Sequence, residues 1–281
     1  MSKRHDIEHR LQSLGEIKEI MGAMKNLSLI EIRKLTRVLG TQSTVVTSLE
    51  AAAADFLHFY PQFMVPRTHA EHVYIVIGSE RGFCGDFNDV VVQRLESHQH
   101  EAAIPEPRLI AVGYRVSTRL AHHPGVVAQL SGPTVAEEVG SVLMRVMDTI
   151  RQRHTGRDAL PLALTALYHE DAGVKVQELL PLLPCGHDTV RFAFPPVLNL
   201  SPHDFFAALV DHYLYAALHA MFYTSLMVEN HRRLHHMESA IQRIERESAA
   251  LALTRNSLRQ EEITEDIEVI LLSAETLQQG S

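Results

Sequence analysis

Apolar residues recur in steps of three and four at the N-terminal end of this 281-residue chain. No proline interrupts the pattern before Pro61. Its positions are held by Ile7, Leu11, Leu14, Met21, Ser28, Ile32, Leu35, Leu39, Val46, Leu49, Ala53 and Phe56, with Lys18, Lys25 and Gln42 on the remaining rungs. A helix over this stretch would extend roughly 80 Å at about 1.5 Å per residue. The seven-residue repeat predicts a left-handed coiled coil.

The C-terminal end carries the same repeat. Between Pro202 and Ser281 there is no further proline, and the only glycine is Gly280. The repeat positions are Met237, Ile241, Ile244, Ser248, Leu251 and Leu258, with Arg255 on one rung. Helices at opposite ends of one chain can pair antiparallel if the middle returns the chain. The pattern therefore predicts coiled-coil segments at 1–62 and 202–281. Two amphipathic helices that lie on the middle domain are the alternative.

The middle, residues 70–198, alternates strand and helix patterns. The run VYIVIGS from Val73 is almost entirely apolar, which is typical of a strand buried on both faces. Further strands are predicted at 109–113, 126–130, 161–168 and 174–180, and helices at 87–98, 116–122 and 134–150. Thr134 is the expected N-cap of the last helix, with Glu137 completing a capping box. This order predicts an α/β fold: a Rossmann-like domain whose sheet is mostly parallel, with right-handed crossovers and a hairpin edge.

Composition narrows the function classes. The formal charge of −8 argues against nucleic acid as the main partner. No apolar run approaches the roughly 20 residues that span a bilayer. The N-terminal ten residues are polar and include acids, unlike a signal peptide. Cys84 and Cys185 lie far apart and imply no disulfide framework, so a reducing cytosol is the default expectation.

The glycine-rich turn after the first strand, Gly78–Gly85, invites an enzyme hypothesis. It lacks the Lys-Ser or Lys-Thr pair of a P-loop and the GxGxxG spacing of a dinucleotide site, so we expect no cofactor and no catalytic residue. An activated Cys84 would need a nearby base, and the sequence places none there. His231 and His235 share a helical face at metal-ligand spacing, but without an HExxH motif they are expected to be a solvated or partner-facing stripe.

The stretch Val73–Asn88, VYIVIGSERGFCGDFN, resembles the signature turn GSDRGLCGGFN of the γ subunit of F-type ATP synthases. The matching residues are Gly78, Ser79, Arg81, Gly82, Cys84, Gly85, Phe87 and Asn88. Glu80, Phe83 and Asp86 depart from the pattern.

Further segments resemble the same family in the same order. GAMKNLSLIEIRK resembles KAMKMVAASKLRR, with Glu31 at a position that is basic in the family. Glu229–Met237 resembles SEQAARMVAM, and NSLRQEEITEDI resembles NKARQAAITQEI. The residues that the resemblance implies as subunit contacts are Met24, Lys25, Arg33, Glu229, Arg233, Arg259, Gln260 and Thr264.

The resemblance implies a non-catalytic central stalk. Its end helices would stand inside a ring of α and β subunits, and its middle domain would bind the ε subunit and the ring of c subunits. It would lie peripherally on the cytoplasmic face of the cell inner membrane and act on no small-molecule substrate. The divergence suits the alternate, often sodium-linked branch. Two other classes stay open: an α/β enzyme with oligomerising helical arms, which nucleotide binding or turnover would favour, and a free coiled-coil scaffold, which homodimerisation would favour.

Overall fold

The computed structural model describes residues 3–64, 70–102, 107–153, 161–182 and 194–278. The elements are α1 (Lys3–Phe59), a 3₁₀ turn (Pro61–Phe63), β1 (Glu71–Ile77), α2 (Phe87–Ala102), β2 (Arg108–Val112), α3 (Tyr114–Arg119), β3 (Val126–Leu130), a second 3₁₀ turn (Ala136–Glu138), α4 (Val139–Arg153), β4 (Leu162–Glu170), β5 (Gly173–Leu180) and α5 (Pro202–Gln278). The chain divides into two compact units. Unit 1 consists of Met1–Leu27 and Leu234–Ser281, and unit 2 of Ser28–Arg233.

Unit 2 is built on one five-stranded sheet in the order β3-β2-β1-β4-β5. The four strands from β3 to β4 are parallel, and β5 pairs antiparallel with β4. In the middle of the sheet Ile75 lies opposite Ile110 on one side and Ala166 on the other. The predicted α/β fold, a mostly parallel sheet with a hairpin edge, is confirmed. Because β1, β2 and β3 are parallel, their carboxyl ends meet at one edge of the sheet, where the glycine-rich turn begins.

Both faces of the sheet are buried, as the continuous apolar run in β1 predicts. Tyr74 and Val76 of β1 belong to one apolar cluster, together with Val91 of α2 and Val116 of α3. Val73, Ile75 and Ile77 belong to a second cluster, which α4 and parts of α1 and α5 complete with Val142, Val146, Leu35, Phe56, Leu218 and Phe222. Alternation of side chains along the strand distributes β1 between the two clusters.

Three local expectations change. Thr134 contacts Glu138, not Glu137. The Glu138 carboxylate accepts a hydrogen bond from the Thr134 N–H at 2.7 Å and another from the Thr134 hydroxyl at 2.8 Å. The predicted capping box is wrong because the 3₁₀ turn Ala136–Glu138 comes before α4. Helix α3 begins at Tyr114 and ends at Arg119, two and three residues earlier than predicted. Strand β4 continues to Glu170, so the hairpin turn is shorter than predicted.

Unit 1 consists of the start of α1 and the end of α5, paired antiparallel. Lys25 Nζ lies 2.9 Å from Glu238 Oε1, and Lys18 Nζ lies 2.8 Å from Glu245 Oε1. The two lysines are seven residues apart on α1 and the two glutamates are seven apart on α5, in opposite directions. Two further ion pairs join Arg10 to Glu247 and Arg4 to Glu262. The predicted antiparallel coiled coil is confirmed for these parts of α1 and α5, and the predicted bounds of 1–62 and 202–281 stay a prediction.

The two lysine rungs do not weaken the seam as buried polar residues would. The Lys18 and Lys25 side chains are 47% and 33% exposed, so their ammonium groups lie at the rim of the helix pair. The apolar rungs Met237 and Ile244 of α5 are buried between them. Charge pairing at the rim and apolar burial at the centre together define the register.

We expect cysteines placed at Lys25 and Glu238 to cross-link within one molecule. The ion pair shows that these side chains meet, and a short bifunctional maleimide should join them at high dilution without forming dimers. The matched control pairs a cysteine at Lys25 with one at Glu262, which lies opposite Arg4 near the other end of the helix pair. Dimers as the main product, measured by denaturing gel electrophoresis, would refute intramolecular pairing.

One helix among the described residues, α5, is long and apolar enough over Pro202–Leu271 to cross a membrane by length and composition alone. Core helices pass the same test. Leu218 and Phe222 of α5 are fully buried in unit 2, so burial in this core accounts for the apolar character of that part of α5.

Candidate functional site

The glycine-rich turn begins where β1 ends. The Gly78 N–H donates to the Val112 carbonyl at 2.9 Å, and the Gly113 N–H donates to the Leu130 carbonyl at 2.8 Å. The ends of β1, β2 and β3 are thereby joined. A Cβ on Gly78 would lie 2.3 Å from Val116 Cβ, so this position requires glycine because α3 approaches the backbone closely.

The polar side chains of the motif bind one another. The Ser79 N–H donates to Asn88 Oδ1 at 3.0 Å, and Asn88 Nδ2 donates to Ser79 Oγ at 2.8 Å. Cys84 Sγ lies 3.3 Å from Ser79 Oγ. Ser79, Cys84 and Asn88 are all buried. These residue types therefore specify the shape of the turn and the start of α2, rather than a surface for a ligand.

Cys84 lacks the surroundings of a nucleophile. Burial raises the pKa of its thiol, although the hydrogen bond with Ser79 opposes this rise. Its described hydrogen-bond partners are Ser79, Asn88 and the Arg81 carbonyl, and none is a histidine. A protonated, buried thiol is a poor nucleophile.

The outer part of the turn adopts left-handed backbone at two positions. Phe83 and Gly85 both have φ of +64°. Glycine adopts this conformation freely, whereas phenylalanine rarely does, and the Phe83 side chain is 51% exposed. Between them, the buried side chain of Cys84 anchors the turn in the interior. The turn thus presents an aromatic side chain outward from a fixed backbone.

Glu80 is a site residue that the sequence analysis did not single out. Its Oε2 accepts the Tyr114 N–H at 2.9 Å and the Gly132 N–H at 2.7 Å. Tyr114 follows β2 and Gly132 follows β3, so one carboxylate links the turn to the ends of two neighbouring strands. The rule that parallel strands end at the same sheet edge could have suggested this proximity, since Glu80 follows β1 by only a few residues.

Glu229 and Arg233, which the resemblance implies as subunit contacts, form a buried ion pair on α5, with side chains 5% and 7% exposed. Arg233 also donates to Asn230 Oδ1 at 3.1 Å and to the Gly82 carbonyl at 3.3 Å. Burial raises the pKa of Glu229 to about 7, while the Arg233 guanidinium opposes this rise. These contacts favour an internal role, in which α5 holds the turn, and a contact with another subunit stays a prediction.

A second, exposed ion pair joins the same helix to the same turn. Arg232 Nη1 lies 2.8 Å from Asp86 Oδ1, and its guanidinium lies 5.7 Å from the centre of the Phe87 ring. Asp86 departs from the γ-subunit pattern, and no sequence motif pairs it with a residue 146 positions away. The turn is therefore joined to α5 at two points, Gly82 and Asp86.

The other residues implied as subunit contacts are distributed between the two units. Arg33 is exposed in unit 2. In unit 1, Met24 is half-buried, and Arg259 and Gln260 are exposed. The Thr264 hydroxyl donates to the Gln260 carbonyl at 2.9 Å and its side chain is exposed. A role of these residues in subunit contact stays a prediction.

His169 is a buried histidine in contact with Phe87 at the start of α2. The ring is fully buried and stacked 3.7 Å from the Phe87 ring, and Nε2 lies 2.8 Å from the Phe87 carbonyl. Nδ1 has no hydrogen-bond partner among the described residues. Burial lowers the pKa of His169 to about 4.

We expect the free energy of unfolding to fall as the pH drops below 6.5. In that range His169 becomes protonated in the unfolded chain but stays neutral in the folded protein. The fall attributable to His169 should be about 1.5 kcal/mol between pH 6.5 and 5. Urea denaturation of a His169→Gln variant should show a shallower pH dependence over this range. The same change at exposed His100 should leave the slope as in the wild type, and equal slopes for all three proteins would contradict the prediction.

Metal binding has no support in the described part of the chain, where no group of three His, Cys, Asp or Glu side chains could hold an ion. His231 and His235 are both exposed.

A family model described as ATP synthase matches residues 3–277. The chain belongs to the ATP synthase family. It is similar to the ATP synthase gamma chain of Acetivibrio thermocellus, with 24% identity over 99% of this chain and all of the relative. The ATP synthase gamma chain of Bdellovibrio bacteriovorus is also 24% identical, with 99% of each chain covered.

Solved structures of ATP synthases share the fold. The chain is similar to one in the Euglena gracilis mitochondrial ATP synthase OSCP/F1/c-ring, with a TM-score of 0.67, 14% identity and coverage of 99% of this chain and 95% of that one. A chain in the rotor of the same enzyme gives a TM-score of 0.59 and 14% identity, with coverage of 92% and 98%. The chain is a non-catalytic central-stalk subunit of this family, as predicted. The relatives' names specify no ion, so the sodium-linked branch stays a prediction.

Proposed function

We propose that this chain is the rotor shaft of an F-type ATP synthase and couples ion-driven rotation to ATP synthesis or hydrolysis. Unit 1 would turn inside a ring of α and β subunits. Unit 2 would bind the ε subunit and the ring of c subunits, peripherally on the cytoplasmic face of the cell inner membrane. The observation that carries the proposal is similarity to gamma chains along the whole length of the chain, with the antiparallel helix pair of unit 1 in place.

A shaft of this kind acts through shape. Nucleotide binds the conformations of a β subunit with different affinities, and the orientation of an asymmetric shaft biases the equilibrium among them. The chain then needs stiffness and asymmetry rather than a reactive group. The turn fits that requirement, because its serine, cysteine and asparagine side chains bind one another and Glu80 binds two backbone amides.

The surface of unit 1 suits contact with a surrounding ring. Near the end of α5 the exposed apolar side chains are Ile263, Ile267, Val269, Ile270 and Leu271. Exposed apolar side chains can slide within an apolar sleeve, since their attraction is not directional. Polar residues beside them, such as Arg259 and Gln260, can make the directional contacts that distinguish one orientation of the shaft from another.

The proposal is tested by coexpression with the α and β subunits of the same organism. We expect a complex that contains all three chains and hydrolyses ATP, purified through a tag on α. Failure to copurify, together with stable homodimers of the chain alone in sedimentation, would refute the rotor function and favour a coiled-coil scaffold.

Replacing Arg259 and Gln260 together by alanine should lower ATP hydrolysis by the complex by about threefold to tenfold, the loss of one or two polar contacts worth about 1 kcal/mol. Both side chains are exposed, so the chain should still fold. The matched control replaces Gln242 and Arg246, an exposed pair on the same helix. Turnover equal to that of the control in a fully assembled complex would count against these residues as β-subunit contacts.

A further inference from the structure

Glu31 is the residue whose charge is opposite to that of the γ-subunit pattern, and the structure gives it an internal partner. It lies on α1 within unit 2 and is only 7% exposed. Its Oε2 accepts the N–H of Ala136 at 3.0 Å, across 105 positions of sequence. Ala136 is itself buried and begins the 3₁₀ turn before α4. The carboxylate of one element therefore caps the first amide of another.

Lys34, one helical turn further along α1, reaches the same region. Its Nζ lies 2.9 Å from Glu31 Oε1 and 2.9 Å from Glu137 Oε1. These hydrogen bonds, to Glu137 first and to Glu31 second, raise the pKa of Lys34 to about 12. One ammonium group thus binds a carboxylate on α1 and another on the 3₁₀ turn, so two connected links join these elements.

The turn that receives these links is itself fixed to the sheet. Glu138 accepts both the N–H and the hydroxyl of Thr134, which closes the turn from within. Helix α4 follows directly, and its Val142 and Val146 are buried in the same apolar cluster as β1. A displacement of the turn would therefore displace α4 against the sheet.

We propose that Glu31 and Lys34 form a latch that holds α1 on the 3₁₀ turn before α4. The latch would make α1 rotate together with the sheet, without displacement of one against the other. The inference rests on the proposed rotor function. Apolar attraction has no preferred direction, so resistance to sliding comes from interdigitated side chains and from directional hydrogen bonds. Hydrogen bonds weaken steeply with distance and angle, so the two links resist the sideways displacement that torque imposes.

The reversed charge at position 31 follows from this contact. A basic side chain cannot accept the Ala136 N–H, so lysine at position 31 would leave a buried donor without a partner and add a second cation beside Lys34. Glu31→Lys, which restores the charge of the γ-subunit pattern, should therefore harm this chain. Glu31→Gln keeps an acceptor oxygen for Ala136 and should have the milder effect.

Two measurements test the latch. In urea denaturation of the isolated chain, Glu31→Lys should lower the folding equilibrium constant about tenfold or more, as expected when a buried donor loses a charged acceptor. In the assembled complex, Glu31→Lys and Lys34→Ala should move fewer ions per ATP hydrolysed than the wild type, and Glu31→Gln should retain most of the coupling. Lys175→Ala is the matched control, because it removes a lysine–glutamate pair of 3.2 Å on the β4–β5 hairpin.

The outcomes separate the inference from the function on which it rests. If Glu31→Lys and Lys34→Ala lose stability but couple as well as Lys175→Ala, the positioning role is overturned and the rotor assignment stands. Wild-type stability in both variants would overturn the latch itself. If Glu31→Lys does not fold, Glu31→Gln and Lys34→Ala still decide the question. A wild-type complex that neither assembles nor moves ions would instead refute the proposed function.

Discussion

Replacing Arg233 by alanine is expected to destabilise unit 2 by about 3–5 kcal/mol, because it leaves the carboxylate of Glu229 buried without its counter-ion. Glu229 is 4% exposed, and the same substitution removes the donor that binds the Gly82 carbonyl. Urea denaturation at pH 8 measures the change. The neighbouring change, Arg232→Ala, removes the exposed ion pair with Asp86 and should cost less than about 1 kcal/mol.

The cost of Arg233→Ala should also depend on pH. Burial already raises the pKa of Glu229 from 4.5 to about 7, and without Arg233 the pKa should rise further. A folded-state pKa above the unfolded value means that stability is lost as the pH rises through it. The variant should therefore be closer to the wild type at pH 5 than at pH 8. Equal effects of Arg233→Ala and Arg232→Ala at both pH values would show that the buried pair does not hold the turn.

Replacing Gly113 by alanine should destabilise unit 2 by about 3–5 kcal/mol, the sum expected for a strained backbone and an overpacked contact. Gly113 has a φ of +115°. A Cβ there would lie 2.7 Å from the Gly78 carbonyl oxygen and 2.9 Å from that of Ser79. Both are backbone atoms at the joined ends of β1 and β2, so they cannot move aside as a flexible side chain could.

Gly140→Ala is the matched control for that substitution. Gly140 lies in α4, and a Cβ there would meet nothing within 4 Å. Alanine in a helix is favoured over glycine by about 1 kcal/mol, so this variant should be as stable as the wild type or slightly more so. Thermal unfolding of the two variants side by side is the measurement. A Gly113 variant as stable as the Gly140 variant would mean that the strand ends can separate without cost.

The features that were predicted from the sequence are those set by local periodicity. A step of seven predicts the paired helices, because a helix buries one stripe whatever the rest of the chain does. A short apolar run between turns predicts a buried strand such as β1. The end of a helix depends on single residues, and there the prediction was wrong. Because a 3₁₀ turn lies between Thr134 and α4, Thr134 binds Glu138 instead of Glu137.

Contacts between residues far apart in the sequence were not predictable in this way. Nothing near Glu31 indicates that its partner is the amide of Ala136, because a backbone donor leaves no mark in the sequence. Glu229 and Arg233 were recognised as a motif. Charged residues occur on both sides of α5 in this region, so the sequence does not show which side is buried. Their burial follows from the approach of Gly82, which only the folded chain defines.

The edge strands of the sheet in unit 2 are short or charged, whereas the tip of α5 exposes apolar side chains. Edge strand β5 carries Lys175 and Glu178, and edge strand β3 has only five residues. Short and charged edges hinder the pairing of strands between molecules. The exposed isoleucines near the end of α5 lie on a helix, where they present apolar side chains rather than a strand edge. A purified chain that aggregates should therefore do so by helix association rather than by growth of β-structure, and it should regain solubility when a ring of partner subunits covers that tip.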